Sequence, residues 1–134
     1  MLSKINHVGI AVRSLEDALP LYRDQLGMAC KGIEEVAEQK VRVAMLQIGE
    51  SKIELLEPTS LESPLAKFLE KNGPGIHHLA YEVADIEAAI AKLVADGVKM
   101  IDVVPRNGAH KTRIAFLHPK STHGVLTELC APGH

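Results

Sequence analysis

Residues 5–12 read Ile5-Asn6-His7-Val8-Gly9-Ile10-Ala11-Val12, and residues 76–83 read Ile76-His77-His78-Leu79-Ala80-Tyr81-Glu82-Val83. Laid over one another they share Ile, His and Val in register, 71 positions apart. The same offset carries Leu15-Glu16-Asp17-Ala18-Leu19 onto Ile86-Glu87-Ala88-Ala89-Ile90, and Ala44-Met45-Leu46 onto Ala115-Phe116-Leu117. Further on, Glu54-Leu55-Leu56-Glu57-Pro58 falls on Glu128-Leu129-Cys130-Ala131-Pro132 at an offset of 74, so one half carries a short insertion. Polar residues recur at matching places as well as apolar ones, which two unrelated amphipathic segments have no reason to do. The chain therefore reads as an internal duplication, with repeats at about 4–58 and 75–132.

Each repeat spells βαβββ. Residues 5–12 alternate as a strand, with Val8, Ile10 and Val12 on one face and His7, Gly9 and Ala11 on the other. Ser14 is placed to cap a helix, with Asp17 three residues on. Leu15, Ala18, Leu19, Tyr22 and Leu26 form its apolar stripe, Gly27 ends it, and Pro20 inside it should kink it. Strands are expected at about 41–48 and 52–57, with Gly49 at the turn. The second half repeats this scheme: strand 76–83, Asp85 as cap, a stripe of Ile86, Ala89, Ile90 and Leu93, and a stop at Gly97. Strands at about 100–104, 113–117 and 124–130 follow. Between the halves, Ser63-Pro64 opens a short helix with Leu65, Phe68 and Leu69 on one side, ending at Asn72-Gly73.

Composition narrows the functional classes. The 134 residues fit a single domain, 46 % apolar and 24 % charged, which is ordinary globular usage. A net charge of −2 excludes a general nucleic-acid clamp, and 3 % aromatic residues without Trp argue against a stacking platform. No apolar run approaches the ~20 residues of a membrane helix. Met1-Leu2-Ser3-Lys4-Ile5 enters a strand pattern at once, without the look of a signal peptide. Cys30 and Cys130 make no disulfide framework, so a reducing cytoplasm is the expected compartment.

Four residues carry the chemistry: His7, Glu54, His78 and Glu128. Two come from each half, at matching positions, mid-strand. Any one of them alone would read as a hydrogen-bonded structural residue. Two imidazoles and two carboxylates left unpaired in a core would be costly, so the set points to a divalent ion. The absence of thiolates argues against a structural zinc cage. The other histidines read as peripheral: His77 faces away from His78 by strand parity, His110, His118 and His123 lie in loops, and His134 is terminal. From Val104 to His123 the chain has Arg106, Lys111, Arg113 and Lys120 and no acid, a zone able to hold an anion. Cys130 reads as packing.

A duplicated βαβββ unit with His…Glu…His…Glu resembles the vicinal oxygen chelate superfamily, and within it the methylmalonyl-CoA epimerase family. The likeness covers nearly the whole chain. It is carried by residues 5–12, Ser63-Pro64 through Asn72, Gly75-Ile76-His77-His78-Leu79, Phe116-Leu117-His118-Pro119-Lys120, and Gly124-Val125-Leu126-Thr127-Glu128-Leu129. The double His and the Phe-Leu-His-Pro-Lys run are its specific marks.

The resemblance implies an α+β fold, tandem βαβββ modules in a curved mixed sheet around a metal cleft, as a single domain over residues 1–134. It implies metal ligands His7, Glu54, His78 and Glu128, with a divalent ion (Co²⁺ first, then Mn²⁺, Ni²⁺ or Zn²⁺). It implies a homodimer acting on methylmalonyl-CoA, epimerising C2 through an enolate whose oxygen charge the ion would neutralise. Glu128 and Glu54 are then the candidate proton-transfer groups, although as ligands they must loosen to act. Some members of the family have Gln where this chain has Glu54. One proton-transfer position of the family falls on Val43, which cannot take a proton, so the second base is left open. The zone from Arg106 to Lys120 is the candidate for the CoA phosphates or the free carboxylate. Three other readings share the pattern: a glyoxalase I-like lactoylglutathione lyase, an iron extradiol dioxygenase, and a metal-free binding module of the same fold. A fourth protein ligand argues against the dioxygenase, whose iron keeps positions open.

Overall fold

The computed structural model describes residues 1–132; His134 lies outside the described residues. The chain divides into two compact units, residues 7–77 and residues 1–6 with those from His78 onward. In the first, the strands run in the order β2-β3-β4-β1, comprising Ala29–Val36, Val41–Ile48, Ser51–Pro58 and the part of β1 (Leu2–Ala11) from His7. β1 and β4 are parallel, and the other neighbours are antiparallel. In the second, the order is β5-β8-β7-β6: β5 (Gly75–Val83), β8 (Thr127–Pro132), β7 (Thr112–Leu117) and the two-residue β6 (Arg106–Asn107). Again the first pair is parallel and the rest antiparallel. The two βαβββ modules are thus the same construction, as the repeat required.

Register locates the insertion. Leu46 pairs with Ile53 in the first module, and Leu117 pairs with Thr127 in the second. The shift from 71 to 74 therefore lies between Leu117 and Thr127. There a 3₁₀ turn, Pro119–Ser121, and the bond from Gly124 N–H to the Pro119 carbonyl (2.8 Å) replace the tight turn at Gly49. This turn also delays β8, expected from 124, until Thr127.

The helices cap as their sequences dictate. The Ser14 hydroxyl accepts from Asp17 N–H at 3.3 Å and the Asp85 carboxylate from Ala88 N–H at 3.0 Å. Ser63 caps α2 (Pro64–Asn72), which stops before Gly73 at φ 73°. Pro20 does not simply bend the first helix. After α1 (Leu15–Leu19) the chain widens into a π-helical turn over Pro20–Gln25, and Leu26 N–H reaches back to the Leu21 carbonyl at 2.8 Å.

Each module buries the helix-facing side of its strands. Val12, Leu15, Leu19, Ala44, Leu46 and Leu55 pack together in the first, with Ile10 and Tyr22 against them. In the second, α3 (Ile86–Ala95) sets Ile86, Ala89 and Ile90 against Ala115, Leu117, Leu129 and Ala131. Side chains of the intervening residues stand on the opposite face, and that is where His7, Glu54, His78 and Glu128 lie.

One expected strand is corrected, and one strand that the pattern did not locate is found. The strand expected at about 100–104 is reduced to a bridge between Met100 and Leu117. The Asp102 carboxylate accepts the Phe116 N–H at 2.9 Å and takes the place of a ladder bond, so pairing resumes only at Arg106. In the first module the pattern left β2 unlocated. A bulge between Cys30 and Gly32 breaks its alternation, and four of its eight residues are Lys, Gly or Glu.

Candidate metal centre

In the first module Glu54 is the register partner of Gly9, two residues beyond His7 on the parallel strand. In the second, Glu128 is the partner of Ala80, two residues beyond His78. The same offset and a small residue at the crossing recur in both. A glycine or alanine there lets the carboxylate lean over the neighbouring strand toward the imidazole. His7 Nε2 lies 3.3 Å from Glu54 Oε1, and His78 Nε2 lies 3.4 Å from Glu128 Oε1. All four residues are buried. Two donors each ~2.1 Å from one ion and ~90–110° apart would stand ~3.0–3.4 Å from each other. Both pairs have that separation.

Burial sets the protonation states. His7 is pushed down to about 4 by burial, with the nearby Lys52 charge adding to the effect. Its imidazole is neutral at pH 7, the form that ligates a metal. Glu54 is pushed up to about 8, mainly by burial; Lys52 opposes this and Glu34 reinforces it. Without an ion the Glu54 carboxyl therefore holds a proton at neutral pH, and a bound cation must displace it. From Glu54 alone, apparent affinity for a divalent ion should fall about tenfold per pH unit below 8. Calorimetric titration with Co²⁺ in two buffers of different protonation enthalpy reads the released proton directly. Affinity that is flat from pH 6 to 8, with no proton release, would count against this picture.

The walls of each site face are apolar. Glu54 stands opposite Met45, next to Val43, which is only 2 % exposed, and Leu56. Glu128 stands opposite Phe116, in a cluster with Ala80, Ile114 and Cys130. The His78 ring meets Phe116 edge to face, centroids 5.7 Å apart. Cys130 is buried there, as packing requires.

The remaining sequence candidates fall elsewhere. His77 turns to the other face and packs edge-on against Phe68, centroids 4.9 Å apart. His118 caps the following turn by accepting Lys120 N–H at 3.1 Å, while His110 and His123 are exposed, both in left-handed backbone conformations. The basic zone is half neutralised: Arg106 pairs with Asp102 at 3.0 Å and Arg113 grips both oxygens of Glu87 at 2.9 Å. Lys111 and Lys120 are exposed. Sequence reading missed the charges of Lys52 and Glu34 acting on Glu54: strand parity alone puts Lys52 on its face, whereas Glu34 is related to it only by the register of β2, β3 and β4.

The chain matches the glyoxalase/bleomycin resistance protein/dioxygenase superfamily over residues 6–116. It is 43 % identical to an ethylmalonyl-CoA/methylmalonyl-CoA epimerase of Cereibacter sphaeroides, covering 96 % of this chain and 98 % of that one. It is 41 % identical to the mitochondrial methylmalonyl-CoA epimerase of Dictyostelium discoideum, covering 96 % and 78 %. A solved methylmalonyl-CoA epimerase in complex with methylmalonyl-CoA and NH4+ superposes with a TM-score of 0.94 at 43 % identity, covering 98 % of this chain and 96 % of that one. The protein belongs to that superfamily and, within it, to the methylmalonyl-CoA epimerase family.

Proposed function

We propose that the protein is a metal-dependent epimerase that interconverts (2R)- and (2S)-methylmalonyl-CoA. The observation that carries this reading is one His–Glu arrangement repeated in both modules of a chain of this family. His7, Glu54, His78 and Glu128 together would hold one divalent ion within a single domain made of both modules. The donor set fits: two imidazoles, one kept neutral by burial, and two carboxylates at ligand-like spacing. Cobalt is the first choice, with manganese, nickel or zinc able to take the same donors.

When bound, such an ion supplies Lewis-acid stabilisation of charge on the thioester oxygen. The chain supplies the rest. A carboxylate takes the C2 proton, the C–H electron pair moves into the enolate, and a proton returns on the other face. Glu128 is the carboxylate we assign to one face. Its apolar surroundings, Phe116, Ile114 and Cys130, keep water from protonating the enolate at random. Lys111 and Lys120 are candidates for the CoA phosphates. The reading includes a homodimer in a reducing cytoplasm, where Cys30 and Cys130 stay thiols; among the described residues no helix is long and apolar enough to cross a membrane.

The test is turnover of resolved (2S)-methylmalonyl-CoA by the cobalt-loaded protein, beside the hemithioacetal of methylglyoxal and glutathione. Appearance of the (2R) epimer, with little action on the hemithioacetal, is expected. Faster turnover of the hemithioacetal would make the protein a glyoxalase I-like lyase instead.

A further inference from the structure

We propose that Glu34 is the proton-transfer carboxylate of the first module, serving the face of C2 that Glu128 does not. This rests on the epimerase reading above. Register places Glu34 on the ligand face: it pairs with Val43, and Val43 pairs with Leu56, two residues beyond Glu54. Paired residues project from the same side of a sheet, and so do residues two apart. Glu34, Val43, Leu56, Glu54 and, through Gly9, His7 therefore share one face. Glu34 is half-buried, and its charge acts on the buried Glu54 carboxyl. Among the strand residues that register places on this face, Glu34 and Glu54 are the carboxylates. Glu54, like Glu128, is a ligand candidate and must loosen to move a proton, whereas Glu34 is outside the ligand set.

Comparison of the modules isolates the position. In the second module the equivalent row is Arg106, Ile114 and Cys130, matching Glu34, Val43 and Leu56. Every ligand position repeats between the modules, yet here one carries an acid and the other a guanidinium held by Asp102 at 3.0 Å. A site that must address both faces of a planar enolate needs two groups able to exchange protons. An arginine cannot exchange a proton at neutral pH, so the second module relies on Glu128 and the first can use Glu34. The step balances without a co-reactant. One carboxylate takes the C2 proton while the C–H pair enters the enolate. The other, protonated, returns a proton to C2 and the pair leaves the enolate to form the new C–H bond.

The experiment uses cobalt-loaded wild type, Glu34→Gln and Glu34→Asp in heavy water with each resolved epimer of methylmalonyl-CoA. Metal content and far-UV circular dichroism are measured alongside. Glu34→Gln should keep its cobalt and its fold, and interconvert the epimers ~10²-fold more slowly or worse. It should still exchange the C2 proton of one epimer for deuterium without inverting it, because Glu128 still serves that face, and leave the other epimer unexchanged. Glu34→Asp should recover part of the interconversion. Wild-type interconversion in Glu34→Gln, equal loss of exchange from both epimers, or loss of cobalt would each overturn the assignment. A wild type that interconverts nothing would instead overturn the epimerase reading, and the assignment with it.

Discussion

Glu128→Gln is expected to bind cobalt nearly as well as the wild type while turning over at least ~10²-fold more slowly, the usual scale for a lost general base. The substitution keeps the size of the side chain and one oxygen donor and removes only the ability to take a proton. Glu128 is 4 % exposed, opposite Phe116, so neither register nor packing should change. Glu54→Gln is the internal comparison. If Glu54 serves as a ligand and not as a base, an amide oxygen in its place should cost much less. It should also remove the proton release expected on cobalt binding, since burial holds the Glu54 carboxyl up at about 8. Activity that tracks metal content in Glu128→Gln would reduce Glu128 to a ligand. Near-normal turnover would remove it from the mechanism.

Removal of the ion should abolish turnover and leave the fold. In each module a larger apolar cluster lies on the helix-facing side of the strands, away from the His–Glu pairs, with Leu15, Leu46 and Leu55 in one and Ile86, Ile90 and Leu129 in the other. Burial of those side chains contributes on the order of 1.5–3 kcal/mol each, without help from a metal. After chelation, far-UV circular dichroism should stay nearly unchanged while epimerisation falls to background. Added Co²⁺ should restore it. A chain that unfolds on chelation would mean that the pairs hold the fold together, as in a structural metal site.

The repeat made both modules legible, because His7 and His78 sit in strands whose alternation survives duplication. Glu54 and Glu128 were legible at a different offset, and the structure puts the extra residues in the turn between Leu117 and Thr127. The caps at Ser14, Ser63 and Asp85 were readable because they are local, one side chain meeting one nearby amide. What the sequence hid depends on pairing across strands. The bulge in β2 erased its alternation, and with it the position of Glu34 opposite Val43. Asp102 looks like part of a strand until its carboxylate is seen to occupy Phe116 N–H. Pro20 signals a break, but its sequence alone does not distinguish a kink from the π-helical widening that follows. The basic zone looked uniform because its partners, Glu87 and Asp102, lie outside it in sequence.

The most direct measurement is deuterium uptake at C2 of methylmalonyl-CoA in heavy water, with the protein first stripped of metal and then loaded with one Co²⁺ per chain. The account predicts no uptake by the stripped protein. With cobalt, deuterium should enter C2 and a single epimer should become a mixture of both. Uptake by the stripped protein at the same rate, or none from protein carrying its cobalt, would contradict it.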